Sequence, residues 1–217
     1  MTEFKAMLRR LVLPIFFCLG LGGCLYDVTS DQPVFTEADL DPIGPVQWQV
    51  LTAMGGNLPQ GSSRSVTDEG TVMTTELSDA RLVVSEHENG VLLGRMEILR
   101  LGESTVRLHM IDPDEPAPLS CVFGSVELDS DLFVVPSIGR CDGDFAHFFF
   151  GRTDDPESNG FILLSFETKK LDEIEALAKA HGIDATLNRS EFIVHGEPAP
   201  KAFGELMAAL YEADLLR

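Results

Sequence analysis

Two cysteines in the second half of the chain, Cys121 and Cys141, carry the most versatile chemistry in the sequence, because thiols can pair, bind a metal ion or attack a substrate. A structural zinc site needs four ligands, and His147 is the only histidine close to them in the sequence. An isolated cysteine pair in an exported protein most often forms a disulfide. We therefore predict a Cys121–Cys141 disulfide and no metal site.

A hairpin would supply the geometry for this disulfide. The runs "LSCVFGSVEL" and "DLFVVPSI" flank the turn residues "DSD". Counting back from a turn at Asp129–Ser130 places Cys121 opposite about Ile138, which leaves Cys141 just past the end of its strand. A bend there would bring the two Cα atoms within about 7 Å, the limit for a disulfide.

Other catalytic signatures are missing from the sequence. It contains no G-x-S-x-G elbow, no H-E-x-x-H motif and no glycine-rich phosphate loop before a helix. His109 and His147 each lie inside a strand-like pattern, where a lone histidine is more often on the surface or hydrogen-bonded than a ligand. We therefore predict a protein that is not an enzyme and has no cofactor.

Acidic residues form two clusters that offer oxygen ligands for a hard cation. The clusters comprise Asp112, Asp114 and Glu115, and then Asp142, Asp144, Asp154, Asp155 and Glu157. Neither has the ligand spacing of an EF-hand calcium loop. In a chain with 35 acidic and 16 basic side chains such clusters are expected by chance, so we interpret both as solvated loops.

The first 24 residues combine a basic start, an uncharged run and a cysteine. The run from Leu11 to Gly23 has the length of a signal-peptide core and is too short to span a bilayer. It leads into "LGGC", in which two small glycines directly precede Cys24. This motif resembles the lipobox of bacterial lipoproteins. The resemblance implies diacylglyceryl attachment to the Cys24 thiol, cleavage before Cys24 and usually acylation of the new amino group.

The same resemblance carries an expectation about localisation. Leu25 follows the cysteine, where Asp is the usual signal for retention in the inner membrane of Gram-negative bacteria. For a Gram-negative source, the absence of Asp implies that the protein lies on the periplasmic face of the outer membrane. Its partner there is the lipid bilayer, in which acylated Cys24 anchors it. The resemblance covers the signal segment only and leaves the domain behind it unassigned.

The charge of the chain excludes one class of partner. Removing residues 1–23 takes away three basic side chains and one acidic one from totals of 16 and 35, which leaves 13 and 34 and a net charge of −21. Such a chain is repelled by nucleic acid and by anionic headgroups. We therefore expect no nucleic-acid partner. Membrane attachment should come from the acyl chains, since two or three of them anchor a protein stably in a bilayer.

The sequence predicts three parts: a signal peptide at 1–23, a flexible tether at 24–44 and a globular domain at 45–217. The tether is rich in Asp, Ser, Thr and Pro. From Val46 the pattern indicates strands, because "PVQWQVLTA" alternates and contains the only tryptophan, Trp48. Seven further runs separated by short turns favour an antiparallel meander, and "FAHFFFG", apolar on nearly both faces, predicts a central strand.

The last quarter of the chain mixes helices and strands. "GFILLSFE" predicts a strand, and "TKKLDEIEALAKAHG" predicts a helix with Thr168 as N-cap and Gly182 as C-cap. "DATLN" and "EFIVHG" predict a hairpin, and a second helix opens at the prolines of "EPAPK". This β-α-β-β-α order is similar to a ferredoxin-like unit without its final strand; the other interpretation is two helices that cover one sheet face.

The predicted fold class is therefore α+β, an antiparallel β-meander followed by a β-α-β-β-α segment whose two helices cover a sheet face. A subdivision would separate 45–151 from 160–217. For function, we expect a non-catalytic envelope role through contacts with an envelope protein. The alternative is a lipocalin-like carrier of an apolar ligand, since a meander that opens with a tryptophan resembles those barrels, although "PVQ" separates Gly44 from Trp48 where the family has one residue.

The predicted lipidation can be tested at Cys24. Cys24→Ala removes the thiol that accepts the lipid, so we expect no incorporation of a fatty-acid analogue and a precursor of full mass. Cys18→Ala, inside the apolar run, is the matched control and should be labelled like the wild type. Undiminished labelling of Cys24→Ala in metabolic labelling and intact-mass measurements would remove the basis for the localisation.

Overall fold

The computed structural model describes residues 27–53, 61–66, 71–141, 143–154, 160–167, 169–187 and 191–217. The described residues form α-helices and two β-sheets, which confirms the α+β class. None of their helices is long and apolar enough to cross a membrane. The predicted signal peptide and Cys24 lie outside the described residues.

The elements are numbered here in chain order. The strands are β1 (Asp27–Ser30), β2 (Gly61–Val66), β3 (Thr71–Leu77), β4 (Arg81–Glu88), β5 (Val91–Arg100), β6 (Thr105–Ile111), β7 (Leu119–Gly124), β8 (Val126–Glu127), β9 (Leu132–Pro136), β10 (Phe145–Arg152), β11 (Phe161–Leu163), β12 (Ala185–Leu187) and β13 (Glu191–Val194). The α-helices are α1 (Pro45–Ala53), α2 (Leu171–Ala180) and α3 (Pro200–Glu212), and a 3₁₀ turn covers Glu37–Asp39.

The chain divides into two compact units, and their boundary differs from the predicted subdivision. The described part of the first unit lies within Gly44–Gly102 and Val106–Ser120. That of the second lies within Cys24–Ile43, Glu103–Thr105 and Cys121–Arg217. The end of the predicted meander therefore belongs with the C-terminal elements, because β8, β9 and β10 share a sheet with the strands that follow them.

The segment 45–53 forms helix α1, so the predicted strand at this place is wrong. Trp48, Leu51 and Thr52 are buried, and their spacing is that of one helix face. The Thr52 hydroxyl donates to the Trp48 carbonyl one turn earlier, at 2.9 Å, and the Arg100 guanidinium lies 4.8 Å from the centre of the Trp48 ring. The likeness to lipocalins loses its main support, because the tryptophan lies on a helix.

The first unit contains an antiparallel meander in the order β2-β3-β4-β5-β6. Leu77 pairs with Leu82, which pairs with Ile98, and all three are buried on one face. The other face is polar, as the Arg81–Glu97 ion pair shows, with 2.6 Å between Nε and Oε1. The sheet therefore has one apolar and one polar face.

The second unit contains a seven-stranded sheet in the order β12-β13-β1-β10-β9-β8, with β11 paired to β10. Strand β10 lies inside this sheet, as the apolar run "FAHFFFG" predicted. Strand β1 is antiparallel to β10, with Val28 opposite His147, and parallel to β13, with Val28 opposite Phe192. Val28, Val34 and Phe35 are buried in the core of this unit.

The predicted tether at 24–44 is therefore wrong from Asp27 onward. Strand β1 has only one large apolar residue, but its backbone groups are hydrogen-bonded to neighbours on both sides, which satisfies them away from water. Its polar Ser30 is buried as well, and its hydroxyl donates to the Gln32 carbonyl at 2.7 Å. A polar composition alone did not reveal that this short segment completes a sheet.

Helices α2 and α3 contribute to the same core as the seven-stranded sheet. Ile174 from α2 and Phe203, Leu206 and Leu210 from α3 are buried there, and the Phe203 and Phe149 rings lie 5.9 Å apart. The pairing excludes the ferredoxin-like arrangement, because β11 pairs with β10 whereas β13 pairs with β12 and β1. In a ferredoxin-like unit the first strand would lie beside the third.

The ends of α2 differ by one to three residues from the prediction. The helix begins at Leu171 with Lys170 at the N-cap position and no side-chain cap; Thr168 lies outside the described residues. His181 is the C-cap residue, and Gly182 follows it with a φ of 70°. The glycine thus ends the helix from the next position, where a left-handed backbone is needed.

The role of β1 in the core gives a stability prediction. Val28→Asp would bury an unpaired charge, so we expect the free energy of unfolding of residues 24–217 to fall by about 3 kcal/mol. Gln32→Asp changes an exposed residue nearby and should have little effect. Chemical denaturation of the three proteins measures this. Equal stabilities would mean that β1 contributes nothing to the core, as a tether would.

Candidate functional site

The two cysteines that the sequence singled out come together. Cys121 is buried in β7, Cys141 follows the hairpin, and their Cα atoms are 5.4 Å apart, within disulfide distance. Phe123 pairs with Ser137 across the hairpin, which places Cys121 level with residue 139, one position beyond the predicted partner. His147 is not a third ligand beside them, because its ring is hydrogen-bonded elsewhere.

His147 is the most strongly perturbed titratable group among the described residues. Its Nε2 lies 2.9 Å from the Ser30 hydroxyl, which joins β10 to β1. The ring contacts Phe35 and Phe203, with centroids 6.2 Å and 5.4 Å away. Burial, which penalises the charged imidazolium, lowers the pKa of His147 to about 3, so the ring is neutral at physiological pH.

The hydrogen bonds around Ser30 decide what this pair can do. The hydroxyl proton is donated to the Gln32 carbonyl, so the Ser30 oxygen is the acceptor toward His147. This network assigns the ring proton to Nε2 and leaves Nδ1 without a partner among the described residues. A histidine that donates to a serine cannot take its proton, so the pair is a structural link between strands and not an activated nucleophile.

A second histidine lies in an arrangement that the sequence analysis missed. His195 Nε2 is 2.8 Å from the Thr186 hydroxyl, and His195 Nδ1 is 3.5 Å from an Asp31 carboxylate oxygen. Hydroxyl, imidazole and carboxylate stand in the order of a catalytic triad. Thr186 is exposed, however, and the ion pair is partly open to water, so we interpret the group as a surface link across β12, β13 and β1.

The acidic clusters behave as turns where the structure describes them. The Asp112 carboxylate accepts the Asp114 backbone N–H at 2.9 Å, and Asp144 pairs with Cys141 through the backbone. Among the described residues, no group of three or more His, Cys, Asp or Glu side chains could hold a metal ion. The remaining members of the second cluster, Asp142, Asp155 and Glu157, lie outside the described residues.

The candidate interaction site is at one end of the first unit's sheet. The last residues of β2 and of β4 lie at the same end of the sheet, because Val66 pairs with Val72 and Thr71 pairs with Glu88. Four of the seven exposed large apolar side chains in the described residues belong to the strands at this end, and we call them the meander tip: Val66, Met73, Val91 and Leu93. Val66 and Val91 are 62% and 65% exposed.

The meander tip has acidic surroundings. Glu88 is exposed and lies opposite Val91, and Glu86 lies opposite Met73. In the sequence, Asp68 and Glu69 follow Val66 closely. A concentration of exposed apolar residues with a charged border is typical of a protein-binding surface, whereas single exposed apolar residues need no explanation.

Sequence reasoning missed the meander tip, although a signal for it was present. Valines stand directly at the turns in "SVTDEG" and "ENGV", where solvent-exposed positions usually carry polar side chains. The Asp31–His195 contact had no such signal, because the two residues meet only through the pairing of β1 with β13.

Comparisons with known proteins add no relative. No family model matches the chain, and neither the curated proteins nor the solved structures contain a match.

The buried imidazole predicts an acid-sensitive stability. The pKa of His147 is lowered to about 3 in the folded protein, so between about pH 6.5 and that value the unfolded chain binds more protons, and stability falls as the pH falls. His147→Gln cannot titrate and should flatten this loss, by about 3 kcal/mol between pH 6.5 and pH 4.

Urea denaturation across this pH range measures the effect, with His109→Gln as the control for loss of an imidazole from a half-buried strand position. Parallel pH profiles for the wild type and His147→Gln would show that His147 does not stay neutral in the folded protein.

Proposed function

We propose that this protein is a lipid-anchored protein of the bacterial envelope that binds another envelope protein through the meander tip. The observation that carries the binding role is the concentration of exposed valine, leucine and methionine side chains at one end of the sheet. Burial of such side chains against a partner stabilises a complex by about 25 cal/mol per Å² of apolar area. The role is non-catalytic.

The proposed anchor is acylated Cys24, on the periplasmic face of the outer membrane of a Gram-negative bacterium. The support is the "LGGC" motif after an uncharged run, together with Leu25 at the sorting position. The cysteine pair fits this location, since a disulfide between Cys121 and Cys141 would persist in an oxidising compartment.

The proposed partner surface has an apolar centre and a basic border. The apolar centre would cover Val91 and Met73, and lysine or arginine side chains would face Glu86 and Glu88, which lie opposite them in the sheet. Complementary charge of this kind speeds the encounter of two proteins and disfavours wrong partners. The acidity of the chain as a whole acts in the same direction.

The non-catalytic part of the proposal rests on hydrogen bonding. The buried pair of Ser30 and His147 has the right residue types for nucleophilic catalysis. In this pair, however, the His147 ring N–H donates to the Ser30 oxygen. The Thr186–His195–Asp31 group is partly open to water, which weakens the electrostatics that a catalytic site depends on.

A photo-crosslinking residue at position 91 tests the binding role in intact cells. We expect one defined adduct from position 91, and its loss when Leu93→Asp is added, because a charge would be buried in the contact. Position 101 is the matched control, since Leu101 is also an exposed aliphatic residue but follows the other end of β5. Equal adducts from both positions, or none from position 91, would contradict the proposal.

A further inference from the structure

The distance between the proposed anchor and the folded core is short. Only Leu25 and Tyr26 separate Cys24 from Asp27, the first residue of β1. Three residues span at most about 10 Å even when fully extended. If Cys24 carries acyl chains, the start of β1 is therefore held within this distance of the bilayer surface.

Strand β10 extends beyond the N-terminal end of its neighbour β1. Val28 is opposite His147 in an antiparallel pair, so Asp27 is level with Phe148. Beyond this level β10 continues to Arg152, four residues further on, which corresponds to about 13 Å of strand. The overhang of β10 is thus at least as long as the chain that connects β1 to the proposed lipid.

The overhanging end presents a small group of side chains that we call the strand rim: Arg152, Phe161 and Ile162. Arg152 pairs with Phe161 across β10 and β11, and its guanidinium lies 6.0 Å from the centre of that ring. Ile162 is 40% exposed. An arginine with an apolar stem, an aromatic ring and an exposed aliphatic residue are side chains that suit the boundary between water and lipid.

From these lengths we propose that the strand rim rests in the headgroup layer of the membrane that anchors the protein. The proposal rests on the proposed acylation of Cys24 and adds the surface by which the second unit contacts the bilayer. The partner is a zwitterionic phospholipid surface: Arg152 faces the phosphates, and the exposed acids Asp131 and Asp154 beside the rim disfavour an anionic one. The orientation of this unit on the membrane is then fixed.

Fluorescence quenching in vesicles tests the contact. The acylated mature protein with Ile162→Cys carries a fluorophore at that site, in phosphatidylcholine vesicles that contain a lipid with a quencher on its headgroup. Lys201→Cys is the matched control, since Lys201 is 87% exposed and lies at the other end of α3 from Tyr211, which borders Gly151 near the rim. Ten helical residues place it about 15 Å further along the helix.

We expect quenching at position 162 to be several-fold stronger than at position 201. A Gly/Ser insertion of about 20 residues before Asp27, with a span of about 25 Å, should reduce quenching at 162 to the level of the control. Equal quenching at both sites without the insertion would overturn the proposal. So would strong quenching at 162 that survives the insertion, because the short connection would then not be what holds the rim.

The intact mass of the same preparation separates this result from the fate of the proposed function. A protein of unacylated mass would overturn the anchor and the rim contact together. An acylated protein with equal quenching at the two sites would overturn the rim contact alone.

Discussion

The second unit depends on the two-sided pairing of β1. Four residues at the N-terminal end of the described chain lie between β10 and β13, and their backbone groups complete the ladders of both neighbours. Without them, β13 and β10 would each lose a partner in the middle of the sheet, where no water can replace it. The link between Ser30 and His147, and the contacts of Phe35 with Phe203, exist only because this strand is in place.

The two units bury their apolar side chains in different ways. The meander of the first unit has one apolar face and one polar face, so its strands alternate along the sequence and pair with their neighbours in the chain. The sheet of the second unit is covered by α2 and α3, and its strands come from both ends of the chain. Local pairing leaves the hairpin ends of the first unit exposed to solvent, and there Val66 and Val91 are available for contact.

Structural features that depend on neighbouring residues could be predicted from the sequence. Features that depend on the pairing of segments far apart in the chain could not. The cysteine hairpin, the internal position of "FAHFFFG" and the two C-terminal helices follow from turns, caps and periodicity close to each residue. Helix α1 was missed because "PVQWQV" also satisfies the period of a strand, and only the buried Leu51 and Thr52 reveal the helical face. Strand β1 was missed because the partners that bury it are far away in the sequence.

The parallel pairing of β1 with β13 also governs when the protein can fold. Val28 can pair with Phe192 only after the whole chain between them has been synthesised. Contacts between residues so far apart in sequence close large loops, and such topologies fold slowly. Synthesis must therefore reach Phe192 before the second unit can close, and until then the sheet has an unpaired edge at β1. For a chain of this topology, the period before the sheet closes is the time of greatest exposure to aggregation and to proteases.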